Sequence, residues 1–238
     1  MKIIQDVVVT TDDLQPTVQV PEFVGKARAH AYLINHGAHG YGKFILDEHT
    51  LAALEAGGLH KVESSLARKQ IYNMLYDMVI SGRIPGSRVI RIFMVNISHG
   101  ESEDVLAECF RSLVPAILAK FVPMDSYDRM HEELFETSLE LLVKGDYKES
   151  ASTQELLFSS AIGFAQTDGG MQMLYKLFVE MDCKLQDPSG RPVEGLVIST
   201  KQKHSIVKRI YCCKGLSMED KEKAMAKLEE ADKSDLLG

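Results

Sequence analysis

Residues 129–138 read RMHEELFETS, and His131-Glu132 supplies the first two letters of H-E-x-x-H. On a helix with that motif, two histidines one turn apart grip zinc while the glutamate serves as base. Here the spacing fails. The second histidine would stand at 135, which is Phe135, and the third ligand, a glutamate, at 154, which is Gln154. The segment instead predicts an amphipathic helix with Met130, Leu134, Phe135, Leu139 and Leu142 on its apolar face. His131, Glu132 and Glu133 are expected to point away from that face.

The other chemistry-bearing residues are scattered. His30, His36, His39, His49, His60, His99 and His204 form no spacing of three metal ligands, and His36 with His39 in a glycine-rich turn reads as turn surface. Cys212-Cys213 continues the apolar spacing of Ile206, Val207 and Ile210, which predicts burial of at least one thiol rather than a nucleophile. KQKHSIVKR, 201–209, is a basic run on an acidic chain. Its lysines alternate around an apolar stripe and read first as a solvated helix face, second as a site for acidic peptide termini. TDGG, 167–170, lacks the lysine and spacing of a P-loop and reads as a turn between helices. No catalytic, cofactor-binding or metal-binding residue is therefore assigned.

Composition sets the outer limits. The 238 residues are 45% hydrophobic and 26% charged, the profile of a folded globular chain. A net charge of -7 disfavours a nucleic-acid partner, which would call for a basic face. No run approaches the roughly eighteen apolar residues of a membrane span, and MKIIQDVVVTTDD does not have the form of a secretory signal. Four cysteines, Cys109, Cys183, Cys212 and Cys213, read as free thiols in a reducing compartment, so a cytoplasmic location is expected.

Two periods organise the chain. Up to Asp47 it reads as strands: IIQDVVVT and TVQV, then AHAYLIN and YGKFILD facing each other across HGAHG as a hairpin. From Asp47 the period becomes helical, predicting helices at 48–56, 62–82, 86–97, 102–121, 125–144, 150–167, 169–184, 199–213 and 217–232. Asp47, the glycine pair of EHTLAALEAGG, Pro85-Gly86 and Ser217 with Asp220 supply stops and starts. Residues 185–200, LQDPSGRPVEGLVIST, are expected to be an exposed loop. The fold class predicted is mainly α: a degenerate, HEAT/armadillo-like α-solenoid of about nine helices, preceded by a short β segment and hairpin.

A family likeness runs across these elements. INHGAHGYGKFILDEHTL resembles the segment that opens the C-terminal helical domain of aminopeptidase N-type zinc metallopeptidases. The family's Asn, Tyr, Lys and Leu-Asp are matched by Asn35, Tyr41, Lys43, Leu46 and Asp47. In SLARKQIYNMLYDMVISGRIP, the residues Leu66, Ala67, Arg68, Asp77, Met78 and Pro85 are similar to its bacterial-like branch, and the last 44 residues look like its late helix pair. Two departures stand out. The family's acid-rich turn has become His-Gly-Ala-His-Gly, and Tyr72 and Tyr76 replace common tryptophans.

The resemblance implies that residues 1–25 are the remnant of a β-sandwich domain and 26–238 a helical superhelix domain, trimmed at its end. It implies a non-catalytic part of an enzyme that removes N-terminal amino acids from peptides. This part would form chamber wall, pack on the catalytic domain of the same polypeptide and touch peptide substrates. Zinc would be held by that other domain, where it polarises the scissile carbonyl; the zinc helix and the G-x-M-E-N strand are both missing from this sequence. The competing expectation is a free-standing helical-repeat scaffold that binds proteins.

Overall fold

Asp47 begins the helical part of the molecule: its carboxylate accepts a hydrogen bond from the Thr50 N–H at 2.8 Å, satisfying one of the orphan donors of the first turn. The structure, a computed structural model, describes residues 17, 19–35, 40–144, 147, 150–186, 193 and 196–235. Among them the chain forms nine helices and no strand. The first three are α1 (Glu48–Glu55), α2 (Ser65–Ile80) and α3 (Gly86–Ile97). Next, α4 runs from Glu103–Glu108 through a π-helical turn, Cys109–Leu113, into Val114–Phe121. Then follow α5 (Met124–Lys144), α6 (Ala151–Phe164) and α7, which is Asp168–Tyr175 prolonged by the π turn Lys176–Glu180. The last two are α8 (Thr200–Cys212) and α9 (Met218–Asp235).

The helices fall where the sequence period puts them, and side-chain caps trim their ends. Ser64 accepts from Ala67 N–H, so α2 starts at Ser65 and Gly58–Lys61 form a separate 3-10 turn. At α8, Ser199 and Gln202 make a reciprocal capping box, a start signal that went unread in the sequence. Ser217 and Asp220 pair as expected ahead of α9. Pro115 lies inside α4 and has no N–H to offer the Arg111 carbonyl. Just before it the Val114 N–H reaches back five residues to the Cys109 carbonyl, so the wide turn takes up the misfit.

The hairpin expected from AHAYLIN and YGKFILD is not formed. Residues 29–35 and 40–47 make no ladder, and the chain turns at 34–35. The first is tied to α1 instead, where the Tyr32 N–H donates to Thr50 Oγ1 at 3.1 Å and His49 Nε2 meets the Ala29 carbonyl at 2.7 Å; in the second, the Leu46 N–H donates to Met78 Sδ on α2 at 3.4 Å. Asn35 adopts the left-handed conformation (φ 57°), and its side-chain amide closes on both backbone groups of Gly40. The strand expected at IIQDVVVT, together with His36 and His39, lies outside the described residues, and the described residues of TVQV, 17, 19 and 20, form no strand. In the expected loop 185–200, Val197 is exposed whereas Ile198 is buried.

Helices pack mainly on their neighbours in sequence, α5 on α6 most extensively, α7 on α8 and α8 on α9. One apolar core runs through them all, from Leu46 to Leu228. Within it, aromatic rings meet in a line from helix to helix: Tyr72 on Phe93 at 5.7 Å, Phe93 on Phe110 at 5.1 Å, Phe110 on Phe164 at 6.0 Å. The first two pairs meet edge-on, which adds directional preference to area burial. Beyond Phe164 the line reaches a histidine.

Candidate functional site

That histidine is His131. It was expected to point off the apolar face of its helix, but it is buried, with only 4% of its surface exposed. Its ring lies between Tyr127, 4.4 Å away between centroids, and Phe164, 6.1 Å away. The correction has a simple origin: α5 is covered on two sides, by α3 and by α6, so its buried stripe is wider than one apolar row. His131 stands four residues before Phe135 and seven before Ser138, both buried, and that spacing was the available signal. Glu132 is exposed and Glu133 half-buried, as expected.

His131 lines a cleft of about 640 Å³. Phe110, Arg111, Pro115, Leu118 and Ala119 come from α4, and Tyr127 and His131 from α5. One face of α6, from Ser152 to Phe164, forms the opposite wall, with Lys201 from the first turn of α8. Position 163 is glycine, and a Cβ added there would meet nothing within 4 Å. The size falls within the range usual for small-ligand clefts, roughly 300–1,000 Å³.

The hydrogen bonds fix the state of the imidazole. Nδ1 lies 3.1 Å from the Phe164 carbonyl oxygen, which can only accept, so Nδ1 carries the proton. In the neutral ring Nε2 is then a lone-pair acceptor. It is buried and has no hydrogen-bond partner among the described residues. Burial pushes the His131 pKa below the ordinary histidine value of 6.5, the Phe164 carbonyl opposing that shift and Arg209 adding to it.

Polar groups around the cleft are largely committed. Ser152 donates to Glu103, Ser160 to the Leu156 carbonyl, and Ser159 Oγ accepts from Gln202. Arg209, from the basic run, donates to the carbonyls of Ile162 and Gly163 at the end of α6. Arg111 and Lys201 line the cleft with Glu155, so its charge is mixed rather than single-signed.

The other sequence candidates stay apart. The donors around His131 do not fit zinc: Phe135 occupies the next turn in the core, and Gln154, though buried, supplies no carboxylate. Among the described residues no group of three or more His, Cys, Asp or Glu stands together as a metal site. His60 and His99 stack at 4.6 Å, their Nδ1 atoms turned to the backbone carbonyls of Gly57 and Val95. His204 pairs with Asp232 at 3.1 Å. In TDGG, Thr167 caps α7, and Asp168 accepts from the Lys214 N–H at 2.9 Å and from the Cys213 thiol. These are turn and cap contacts. Cys213 is buried and Cys212 exposed, matching the expectation that at least one thiol is covered.

Compared with protein families, curated proteins and solved structures, the chain finds no match. No helix among the described residues is long and apolar enough to cross a membrane.

Proposed function

We propose that this chain is the C-terminal helical domain of a zinc aminopeptidase of the aminopeptidase N type, non-catalytic alone. In this reading its helices form a HEAT/armadillo-like stack that walls the peptide chamber and packs on the catalytic domain of the same polypeptide. The enclosed chamber selects flexible peptides by steric exclusion and works in the cytoplasm, without nucleic-acid or membrane partners.

One observation carries the reading: several of the residues that resemble the family, Asn35, Leu46, Asp47, Arg68, Met78 and Pro85, sit at the joints of the fold, while Tyr41 and Leu66 are exposed. Asn35 holds the left-handed turn, Leu46 is buried and Asp47 caps α1. Arg68 is half-buried and pairs with Glu101, and Met78 and Ile84–Pro85 close the α2–α3 corner. Residues with such positional constraints are the ones a shared architecture would retain. The approach to α1 adds support, for Phe23, Val24, Tyr41 and Ile45, which precede it in the chain, are exposed apolar residues. A preceding domain packed there would cover them.

The test is to isolate, from the source cells, the polypeptide recognised by an antibody against residues 86–121. A protein far larger than 26.5 kDa, containing H-E-x-x-H and releasing an aminoacyl dye in a chelator-sensitive manner, is expected. A chain of this mass with no associated peptidase would overturn the reading in favour of a binding scaffold.

A further inference from the structure

We infer that the cleft between α4, α5 and α6 is a binding site for an indole or phenol group, whose N–H or O–H donates to Nε2 of His131. The inference is independent of the aminopeptidase reading.

The acceptor comes first. Gln70 Oε1, Tyr72 Oη, Ser102 Oγ and His131 Nε2 are buried side-chain atoms without a partner among the described residues, and of these residues His131 alone lines this cleft. A buried acceptor left unpaired is unfavourable, so a group that reaches it must bring a proton. Because Nδ1 is committed to the Phe164 carbonyl, Nε2 has only a lone pair to offer. Burial favours the neutral ring, in which Nε2 keeps its lone pair; the atom is covered, so a donor reaches it by displacing what lies over it. A carboxylate or phosphate has no donor to give it. Lys201 and Arg111 share the lining with Glu155, so the mouth carries both signs of charge.

The walls define the rest of the ligand. Phe110, Pro115, Leu118 and Phe164 are apolar, and the Tyr127 ring lies tilted at 51° against His131. Planar groups pack edge-on or offset against such rings. An apolar aromatic body with one donor at its rim is the chemistry of tryptophan and tyrosine side chains, which seek a single partner when buried. Gly163 leaves room beside them, since no atom lies within 4 Å of the place its Cβ would take.

The chain contains no tryptophan, so indole fluorescence reports the ligand alone. N-acetyl-tryptophanamide, an uncharged probe, should show a saturable blue shift on titration with the protein. Its N1-methylated analogue should bind about three- to tenfold more weakly, the worth of one neutral hydrogen bond. His131→Phe should bring the two probes to equal affinity. Gly163→Leu should abolish the shift of both while the helical circular dichroism is kept. Free indole separates the sources: weaker binding than the amide-flanked probe assigns the site to a residue of a peptide, equal binding to a small aromatic molecule, and either supports the site. A tryptophan analogue bearing a diazirine should cross-link within 110–119, 127–131 or 156–164 of the unaltered protein. Absence of a saturable shift, equal affinity for the methylated probe, undiminished binding to folded Gly163→Leu, or cross-links confined elsewhere would each overturn the inference.

Discussion

Two buried polar sites lie along the same succession of helices and are finished to different degrees. At the α2–α4 end, Arg68 and Glu101 are both covered and their donors and acceptors are used. The guanidinium makes bonds of 2.7–2.9 Å to both carboxylate oxygens and two more to the Val62 and Glu63 carbonyls. Glu101 also takes the Ser102 N–H on its side chain, while its own N–H donates to the Tyr147 hydroxyl. At the α5–α6 end, His131 uses one ring nitrogen and leaves the other bare. A saturated cluster fixes the position of the elements that meet there. A half-saturated one beside a cleft is placed for a further contact.

Breaking the saturated site should have the largest effect. Arg68→Leu strands a buried carboxylate and should cost about 3–5 kcal/mol, read from urea unfolding. Replacing Glu101 with leucine in the same chain should recover much of that loss, because the penalty lies in the unpaired charge. Recovery of nothing would mean that the pair does more than neutralise itself. Asn96, buried in α3, is a neutral counterpart. Its side chain accepts from the Leu59 N–H and donates to the Leu54 and Ile92 carbonyls. Asn96→Ala should cost roughly 2–3 kcal/mol by leaving those backbone groups dry.

The half-saturated site should behave differently. His131→Phe should cost about 1 kcal/mol or less at neutral pH, since only the bond to Phe164 is lost. Its signature lies in acid. The folded pKa of His131 is depressed, so the unfolded chain takes up a proton that the folded one refuses. The stability held above pH 6.5 is therefore lost as pH falls from that value toward the folded pKa. Melting temperatures across this window should fall more steeply for the wild type than for His131→Phe; parallel curves would remove the histidine from the account. The smallest effect is expected on the surface. Arg88 bridges Glu48 and Glu55, but Glu48 is 78% exposed and Glu55 remains as a partner, so Glu48→Ala should change stability by about 0.5 kcal/mol or less.

Much of the architecture was legible one-dimensionally. Helix positions follow from apolar residues recurring at three and four, and caps such as Asp47, Ser64 and Thr167 are local hydrogen bonds between residues three apart. The failures are non-local. AHAYLIN and YGKFILD have the alternation of strands, yet a strand needs a partner ladder, and these segments bond to helix side chains instead: the first to Thr50 and His49 of α1, the second, through Leu46, to Met78 of α2. The π turn of α4 is hinted at by Pro115, but whether a helix widens, kinks or ends there depends on what packs around it.

By itself, then, the sequence determined that this is a helical chain, roughly where each helix begins and stops, and that His131-Glu132 does not open a zinc site. These depend on contacts within one or two turns. Only the tertiary structure decided that His131 is buried, that it joins a line of aromatic rings, and that one of its nitrogens is left without a partner beside a cleft. Those properties belong to the space between helices, which no single helix encodes.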